Sequence, residues 1–432
     1  MKVRYIYSAC IEIEANGIII LTDPWFTDGI YDGSWYQYPR IEDPLSVLSE
    51  PDVIYVSHIH PDHYDPVFLT KIFEKWGPKP IIIPEFPNNY LAKKAKFDGF
   101  EVTCCRHINM NGVDLHIVPN IWGSASDIDS ALLVHHVGQT VLNLNDCLFN
   151  PNHAKQLSDI ISMYTDKLDL LALGYTGAGT YPQTYFDITE DRDELLKRAE
   201  KKKQTFFEGY RRYCEYFPAR HHLPFAGKYL LGGKLADLNP YRGVADAVEV
   251  CDFDDQAIIL ADAGYGIIDL STNEVSSVRK SAYSLDDIQQ YITENIKTQK
   301  LAYETDFTIA YSDINFMRYM IAAYKKAFVK SELNVNYFYV FHVMEDSDIR
   351  ESYLLNCYED HISKYDQTLQ PNKKLPEPRT EMYLDYRQLF GLLTGVYHWN
   401  NAEIGSQIPA RRYPVDAHNY AARAFLNFMA IA

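Results

Sequence analysis

Short apolar runs separated by polar loops recur along the first half of the chain. Cys10–Glu14 and Val113–Val118 alternate between apolar and polar residues, which is typical of strands with one buried face. Other runs are apolar throughout, or apolar except for Asp169 in the last of them, which predicts strands buried on both faces: Ile18–Leu21, Val53–Val56, Ile81–Ile83 and Leu168–Leu173. Longer segments with helical spacing or dense charge predict helices: Asp65–Trp76, Tyr90–Lys96 and Thr189–Tyr216.

The pattern changes from about residue 246 onward. We expect a hairpin from Ala257–Leu260 and Gly266–Leu270, a strand at Tyr337–Val343 and helical stretches at Met382–Leu393 and Asp416–Met429. The chain is therefore predicted to consist of a first domain at 1–245 and a smaller α+β region at 246–432. This second region is expected to pack on the first or to mediate assembly.

Three imidazoles and a carboxylate directly follow one of the apolar strands, as His58, His60, Asp62 and His63. Pro61 prevents a regular helix through them. A lone histidine is usually an ordinary polar residue. Four ligand-type residues at this spacing instead predict a metal site, because imidazole with carboxylate suits zinc, iron or manganese. We expect His58 and His60 on one ion, and Asp62 and His63 on a second.

The His-x-His-x-Asp-His pattern is the signature of the metallo-β-lactamase-fold hydrolases, and the chain resembles that superfamily. It looks most similar to the metallo-β-lactamase-like domain of CMP-N-acetylneuraminate hydroxylase, and more distantly to N-acylphosphatidylethanolamine phospholipase D and ascorbate-6-phosphate lactonase. The resemblance implies an α/β fold, an αββα sandwich. The Cys and His ligand pairs of the hydroxylase's Rieske module are not present as a set, so we expect no such module. The motifs that carry the resemblance are Thr22–Trp25, His58–His63, Leu142–Cys147, Gly174–Tyr185 and Pro224–Gly227.

The resemblance also implies further ligands. A carboxylate that bridges the two metals lies at a strand end in this superfamily, and Asp146 occupies such a place. A late histidine completes the second metal, and His222 is preferred over its neighbour His221. Asp23, before Pro24, is expected either to orient a liganding histidine or to cap a turn. The loop at 120–129 lacks the usual third histidine of the first metal, which leaves these alternatives open: Asp127, Asp129, His116 or no ligand.

The glycine-rich segment Gly174–Tyr185 is the predicted substrate loop. Its glycines let backbone amides approach a ligand, and Tyr175, Tyr181 and Gln183 offer hydrogen bonds. A plain glycine-rich connection is the alternative. Asp62 and His63 are the predicted catalytic residues.

These residues are compatible with three functions. The first is a metal-dependent hydrolase, in which metal-bound hydroxide attacks an ester, lactone or phosphodiester of a small substrate, for example one linked to a sugar or nucleotide. The second is a di-iron, oxygen-activating hydroxylase-like enzyme, in which a carboxylate replaces the missing histidine. The third is a partner-dependent module with a degenerate site. The expected cofactors are one or two divalent ions per chain, zinc before iron or manganese.

The charge balance limits the partners. With 41 basic and 58 acidic residues the formal charge is −17, which argues against nucleic acid and against an anionic membrane surface. Lys201–Lys203 reads as a solvated helix face. Seven scattered cysteines and the lack of a long apolar run predict a cytoplasmic protein without stable membrane insertion. We expect a small-molecule substrate and a homo-oligomer formed through the C-terminal region.

Overall fold

The apolar runs of the first 280 residues form two sheets that face each other. The structure is a computed structural model, and it describes residues 1–121, 128–331, 335–359, 361–365 and 374–431. In chain order the described strands are β1 (Lys2–Tyr7), β2 (Cys10–Ala15), β3 (Ile18–Thr22), β4 (Trp35–Tyr36), β5 (Val53–Tyr55), β6 (Ile81–Ile83), β7 (Val102–Cys104), β8 (His107–Met110), β9 (Val113–Pro119), β10 (Ser130–His136), β11 (Gln139–Asn143), β12 (Leu168–Gly174), β13 (Ala219–Phe225), β14 (Leu230–Leu231), β15 (Gly266–Asp269), β16 (Glu274–Ser276), β17 (Phe338–Glu345), β18 (Asp348–Asn356), β19 (His361–Tyr365), β20 (Arg379–Asp385) and β21 (Ala410–Tyr413).

Helices connect these strands and cover the sheets. In chain order the described α-helices are α1 (Ile30–Gly33), α2 (Pro44–Val47), α3 (Pro66–Trp76), α4 (Tyr90–Phe97), α5 (Pro151–Ile161), α6 (Arg192–Tyr216), α7 (Leu285–Tyr291), α8 (Ala302–Asp306), α9 (Phe316–Ser331), α10 (Tyr386–Thr394), α11 (Trp399–Ile404) and α12 (Tyr420–Leu426). Three 3₁₀ segments lie at Gly233–Tyr241, Ala247–Asp252 and Tyr311–Asp313, and a π-helical turn at Ile292–Ile296 follows α7.

The two facing sheets share a design in which parallel strands end at one edge. The first has the order β16-β15-β1-β2-β3-β5-β6-β7, and β3, β5, β6 and β7 run parallel. The second has the order β13-β12-β11-β10-β9-β8, and β11, β12 and β13 run parallel. Loops at the carboxyl ends of parallel strands meet along one edge, which is where such folds place their sites.

The layers confirm the expected αββα sandwich. Ile13 and Ile20 from the first sheet pack with Leu132 and Leu170 from the second, and each is at most 1% exposed. The outer face of the first sheet packs on α3 and α4, and the outer face of the second on α5 and α6. A five-stranded sheet, β19-β18-β17-β20-β21, forms a further core with α9 to α12, and this core also includes Tyr7, Trp25 and Trp35.

Two expectations for the C-terminal region are wrong. β15 pairs with β1 and with β16 instead of forming a hairpin with residues 257–260. The stretch Met382–Leu393 begins as strand β20, because its residues pair with β17 and β21, and it becomes helical only from Tyr386. The boundary at 245/246 stays a prediction, although β15 and β16 extend the first sheet past it.

Candidate metal centre

The histidine loop, residues 57–65, leaves β5 at the carboxyl edge of the first sheet. The Asp65 side chain accepts hydrogen bonds from the backbone N–H groups of Phe68, at 2.9 Å, and Thr27, at 2.8 Å. It therefore caps α3 and ties the end of the loop to the segment after β3. At the loop's start, the Ser57 N–H donates to Asp23 Oδ1 at 2.7 Å. Both ends of the loop are fixed to the same sheet edge.

Each histidine of the loop has one ring nitrogen held by an outer group and the other near a second ligand-type atom. His58 Nδ1 lies 2.9 Å from Ser57 Oγ, and its Nε2 lies 2.8 Å from His60 Nδ1. The Nε2 of His60 lies 3.1 Å from Asn400 Oδ1 on α11. Outer contacts of this kind orient metal-binding imidazoles in proteins.

Carboxylates surround the third imidazole. His63 Nδ1 lies 2.9 Å from Asp23 Oδ2, so Asp23 orients this histidine. His63 Nε2 lies 3.5 Å from Asp62 Oδ2 and 3.4 Å from Asp146 Oδ2. The predicted strand-end carboxylate at 146 therefore lies next to the histidine loop, across the gap between the two sheets. Carboxylate, imidazole and carboxylate stand in series, as in many metal sites.

Three groups of described side chains could hold metal ions: two lie at the histidine loop and share His58, and the third, Cys214, His222 and Asp254, lies away from it. Of the two at the loop, one consists of His58, His63 and Asp146, the other of His58, His60 and Asp129, and within each group the ligand atoms lie within 4.8 Å of one another. Asp129 Oδ1 lies 3.5 Å from His58 Nε2. The alternative candidate Asp127 lies outside the described residues. Asp129 thus stands where a third ligand of the first metal is needed.

The protonation states of the imidazoles differ. Burial, with repulsion from neighbouring imidazoles, holds the pKa of His58 well below its ordinary value, and burial also lowers the pKa of His60. Burial alone would lower the pKa of His63 too, but the carboxylates of Asp146, Asp62 and Asp23 raise it well above 6.5. Burial by itself raises the pKa of Asp62, and His63 reverses this so that it lies below its usual range. His58 and His60 are neutral, the form that binds metal.

Metal binding should therefore release a proton from His63. Its raised pKa keeps the imidazolium at neutral pH, and a divalent ion must displace that proton. We expect the chain to release about one proton per ion bound at His63, and the affinity to rise with pH until His63 is deprotonated. Calorimetric titration in two buffers of different ionisation enthalpy measures this number. The His63→Gln variant, which keeps His58 and His60, should release none, and an equal release by both proteins would contradict the assignment.

The comparisons with known proteins agree with this geometry. Residues 2–160 match a family model described as "Beta-lactamase superfamily domain". The matched part includes the histidine loop and Asp146. The chain has the metallo-β-lactamase fold, which implies divalent metal binding at the clustered histidines and aspartates.

Curated relatives confirm the resemblance inferred from the motifs. A predicted Rieske 2Fe-2S iron–sulfur protein of Mycolicibacterium smegmatis is 27% identical over 329 residues, which is 71% of this chain and 59% of that protein. The cytidine monophosphate-N-acetylneuraminic acid hydroxylase of Danio rerio is 25% identical over 236 residues, which is 53% of this chain and 38% of the hydroxylase. The chain thus matches well under two thirds of the length of either relative.

Solved structures share the fold at low similarity. CmlA, a diiron β-hydroxylase from Streptomyces venezuelae, is 16% identical with a TM-score of 0.40, over 59% of this chain and 52% of CmlA. An isothiocyanate hydrolase from Delia radicum gut bacteria is also 16% identical with a TM-score of 0.40, over 61% of this chain and 97% of the hydrolase. Similarity at this level does not indicate which reaction the chain catalyses. Within the described part of the chain, no helix is both long and apolar enough to cross a membrane.

The structure does not bring His222 to the histidine loop of the superfamily domain. On β13 it pairs with Leu171, whose side chain packs in the outer core under α6, while Leu170 and Leu223 face the inner core. Side chains alternate between faces along a strand, so His222 points to the outer face. There its Nδ1 lies 2.7 Å from Asp254 Oδ2.

Two other candidate histidines also lie elsewhere in the described structure. His221 Nε2 lies 2.6 Å from Asn273 Oδ1. His116 Nε2 lies 2.7 Å from Tyr164 OH, and its ring stacks on His107. Neither belongs to a group that could hold a metal ion with the histidine loop. Among the candidate third ligands that lie within the described residues, Asp129 is therefore the one next to the histidine loop.

The predicted substrate loop reaches the site, but through other residues than expected. A cavity beside Asp62 and Asp146 is lined by residues 176–178 of this loop, by 226–229 after β13, and by Trp35 and Ser8. Tyr175 is 2% exposed and packs in the outer core. Tyr181 packs against the C-terminal core, and the Gln183 amide donates to Ser406 Oγ at 2.8 Å. The backbone and small side chains of the loop therefore face the cavity, while its large polar side chains anchor it.

Residues with left-handed backbone lie in the cavity wall, at Ser8 and Ala226, and directly beside the metal cluster, at Asp23 and Asn145. Ser8, Asp23, Asn145 and Ala226 have φ between 38° and 58°, although none is glycine. The Ala226 N–H donates to the Ser8 carbonyl at 3.0 Å, which ties the loop after β13 to the turn after β1. Strained backbone of this kind clusters at functional sites, because the surrounding structure must hold it in place.

Sequence reasoning missed two neighbours of the cluster. The Tyr31 hydroxyl donates to Asp62 Oδ1 at 2.5 Å, and Asn400 contacts His60 from a helix 340 residues further along the chain. No motif marks either residue. Tyr31 lies in a long aromatic loop, which was the only available signal for a functional role.

Proposed function

We propose that this chain is a metal-dependent hydrolase that cleaves an ester, lactone or phosphodiester bond in a small substrate. The observation that carries the proposal is the orientation of His58, His60 and His63. Each has one ring nitrogen held from outside and the other near a carboxylate or a second imidazole. A polar loop without a ligand would have no reason to direct so many acceptors into one buried space.

The candidate ligands form two sets, one for each of two ion positions. His58, His60 and Asp129 would hold one ion, and His63 and Asp146, with the neighbouring Asp62, would hold the other, while His58 lies within reach of both positions. The bound ions would lower the pKa of a water molecule to near neutrality and polarise the bond to be cleaved. With His222 distant, the second position has fewer protein ligands than the superfamily pattern implies, and this leaves room for substrate atoms.

Two side chains near the cavity complement the negative charge that develops during hydrolysis. Lys228 lines the cavity, where its ammonium group pairs with Asp262 and lies 3.1 Å from the Tyr283 hydroxyl. Burial lowers the pKa of Lys228. The Tyr31 hydroxyl donates a hydrogen bond to Asp62, and burial raises the pKa of Tyr31 well above 10, so it stays protonated and holds Asp62 in one orientation. We assign Lys228 to the substrate and Tyr31 to the ligand Asp62.

Elemental analysis and turnover test the proposal together. The chain purified without chelators is expected to contain one or two divalent ions, and zinc or manganese reloading should support turnover of at least one ester, lactone or phosphodiester in a panel. The Asp146→Asn variant should lose at least about 100-fold in rate, because it removes a charged ligand between the ions. A loaded chain that turns over none of these substrates would contradict hydrolysis.

A di-iron, oxygen-activating enzyme is the second candidate. The observation that favours it is Asp129, a carboxylate at the position of the missing histidine, 3.5 Å from His58. A carboxylate in place of an imidazole suits iron or manganese better than zinc. Some of the matched relatives are named hydroxylases. Protein that contains only zinc, and shows no iron absorption after aerobic purification, would rule this candidate out.

The C-terminal region takes part in the site through Asn400. We expect the Asn400→Ala variant to fold normally and to bind metal about tenfold more weakly, because His60 loses the contact that orients its ring. Metal affinity and thermal unfolding, measured side by side, check this. Asn401→Ala on the same helix is the matched control and should bind like the wild type. Equal affinities for all three would reduce Asn400 to a packing residue. Assembly through this region and a small-molecule partner stay predictions.

A further inference from the structure

Lys202 differs from the lysines beside it on α6. The run Lys201–Lys203 reads as a solvated face, and Lys201 is exposed while Lys203 Nζ pairs with Glu249 at 2.9 Å and Glu200 at 3.1 Å. Lys202 Nζ, however, is buried and has no hydrogen-bond partner among the described residues. An unpartnered buried ammonium is costly, so its position needs an explanation.

A second buried cation lies near it. Arg242 is 6% exposed, and its Nη1 is buried without a hydrogen-bond partner in the described structure. Its Cζ lies 4.3 Å from the centre of the Tyr229 ring, and its Nε donates to the Asn239 carbonyl at 3.3 Å. The Tyr229 hydroxyl is buried beside the Arg242 guanidinium, and among the described residues it has no partner in good hydrogen-bond geometry. None of the described carboxylates forms an ion pair with either cation.

The packing of α6 places Lys202 between the Arg242 segment and a glycine of the cavity wall. Gly243, next to Arg242, approaches α6 so closely that a Cβ there would lie 2.4 Å from the Ala199 carbonyl oxygen. One turn beyond Lys202, the Phe206 ring packs against Gly177, which lines the cavity. Ala199, Lys202 and Phe206 are spaced three and four residues apart and share one helix face. Lys202 therefore lies between the Arg242 segment and the cavity wall.

Tyr229 connects the two cations to the cavity. One face of its ring stacks on Trp35 at 3.5 Å between ring centres, and Arg242 covers it from 4.3 Å. Tyr229 and Trp35 line the cavity together with Asp62 and Asp146. Burial, and then the charge of Arg242, lower the pKa of Lys202 to about 7. The two cations therefore repel each other, and no carboxylate of the described residues pairs with either of them.

We propose that Lys202, Arg242 and Tyr229 form a subsite for a tetrahedral oxyanion, the phosphoryl group of the substrate. An ammonium, a guanidinium and a phenol offer donors to several oxygens at once, and two positive charges match a dianion better than a single carboxylate. That the bound group is the phosphoryl group of the hydrolysed molecule rests on the proposed function. That the three residues bind an anion does not rest on it, because none of them belongs to the metal cluster.

Sulfate is the probe, since it is a tetrahedral dianion that does not titrate between pH 5 and 9. We expect calorimetry on the chelator-treated full chain to show sulfate binding that weakens as pH rises through 7, because Lys202 loses its proton. Lys202→Met should weaken binding by about tenfold or more, the worth of one charge-assisted contact, and should remove most of the pH dependence. Tyr229→Phe, which keeps the packed ring, should weaken it by a smaller factor.

Two controls separate this subsite from the metal centre and from surface charge. Lys201→Met removes an exposed lysine of the same run and should bind sulfate like the wild type. The His58→Ala/His60→Ala variant should also keep its sulfate affinity, so a failure of the hydrolase proposal leaves this result standing. Equal weakening by Lys201→Met and Lys202→Met, or no sulfate binding by the wild type, would overturn the subsite.

Discussion

The His58→Ala/His60→Ala variant is expected to lose its bound metal while its fold survives. Both imidazoles have lowered pKa values and are neutral, so they are ready to bind without losing a proton. His58 belongs to both groups at the histidine loop that could hold an ion, so its removal weakens both positions. Loss of an outer contact alone typically costs 10 to 100-fold in affinity, so the loss of two ligands should exceed about 100-fold.

The fold should survive because neither histidine belongs to a hydrophobic core. Elemental analysis gives the occupancy, and circular dichroism with thermal unfolding gives the state of the fold. The matched control is His135→Ala/His136→Ala, which removes two histidines of β10 that contact Thr140 and the Gly112 carbonyl, away from the cluster. This control should keep its metal. Undiminished occupancy in the His58→Ala/His60→Ala variant would show that the metal is held elsewhere.

The centre of the site could be predicted because it depends on local chemistry and strand order. The histidine loop follows β5, and Asp146 follows β11, each at the carboxyl end of a strand buried between layers. In a sandwich of two such sheets these ends meet at one edge. The apolar pattern predicted the strands and the histidine loop, and the resemblance to the superfamily pointed to Asp146, whose Oδ2 lies 3.4 Å from His63 Nε2.

The late ligand could not be predicted because a single position decides which face a strand residue occupies. His222 and Leu223 are adjacent, but Leu223 faces the inner core and His222 the outer one. The sequence of β13 has three polar residues in a row, Arg220, His221 and His222, followed by three apolar ones, so it contains no alternation that would indicate the direction. The direction of the Tyr175 side chain could not be predicted for the same reason. Its neighbour Thr176 lines the cavity, whereas Tyr175 packs beneath it.

Lys202 and Asn400 show a different limit. A run of three lysines predicts exposure, and only the close approach of Gly243 and Gly177 to α6 encloses the middle one. Asn400 meets His60 because the C-terminal core packs on the loops that follow the first sheet. Both contacts join segments far apart in the chain, and no local pattern carries such information.

The Asp23→Ala and Asp23→Asn variants are expected to separate the structural from the metal-orienting role of this carboxylate. Asp23 is 1% exposed and accepts from the Ser57 N–H and hydroxyl, each at 2.7 Å, and from His63 Nδ1 at 2.9 Å. Alanine leaves the Ser57 N–H and the charged His63 buried without a partner. We expect a loss of about 3–5 kcal/mol in the free energy of unfolding, the usual cost of breaking a buried pair.

The Asp23→Asn variant should keep much of that stability and still bind metal more weakly. The asparagine oxygen can accept from the Ser57 N–H, but its amide then faces His63 and requires Nδ1 to be the acceptor. The proton moves to Nε2, the nitrogen beside Asp62 and Asp146, where it competes with the ion. We expect the metal affinity to fall by about 10 to 100-fold, measured by calorimetry beside denaturant unfolding.

The control is Asp52→Asn. The Asp52 carboxylate accepts a hydrogen bond of 2.8 Å from the Ile19 N–H and lies away from the cluster. If Asp23→Asn changes stability and affinity no more than Asp52→Asn does, Asp23 only closes a turn, and the orientation of His63 must come from the metal itself.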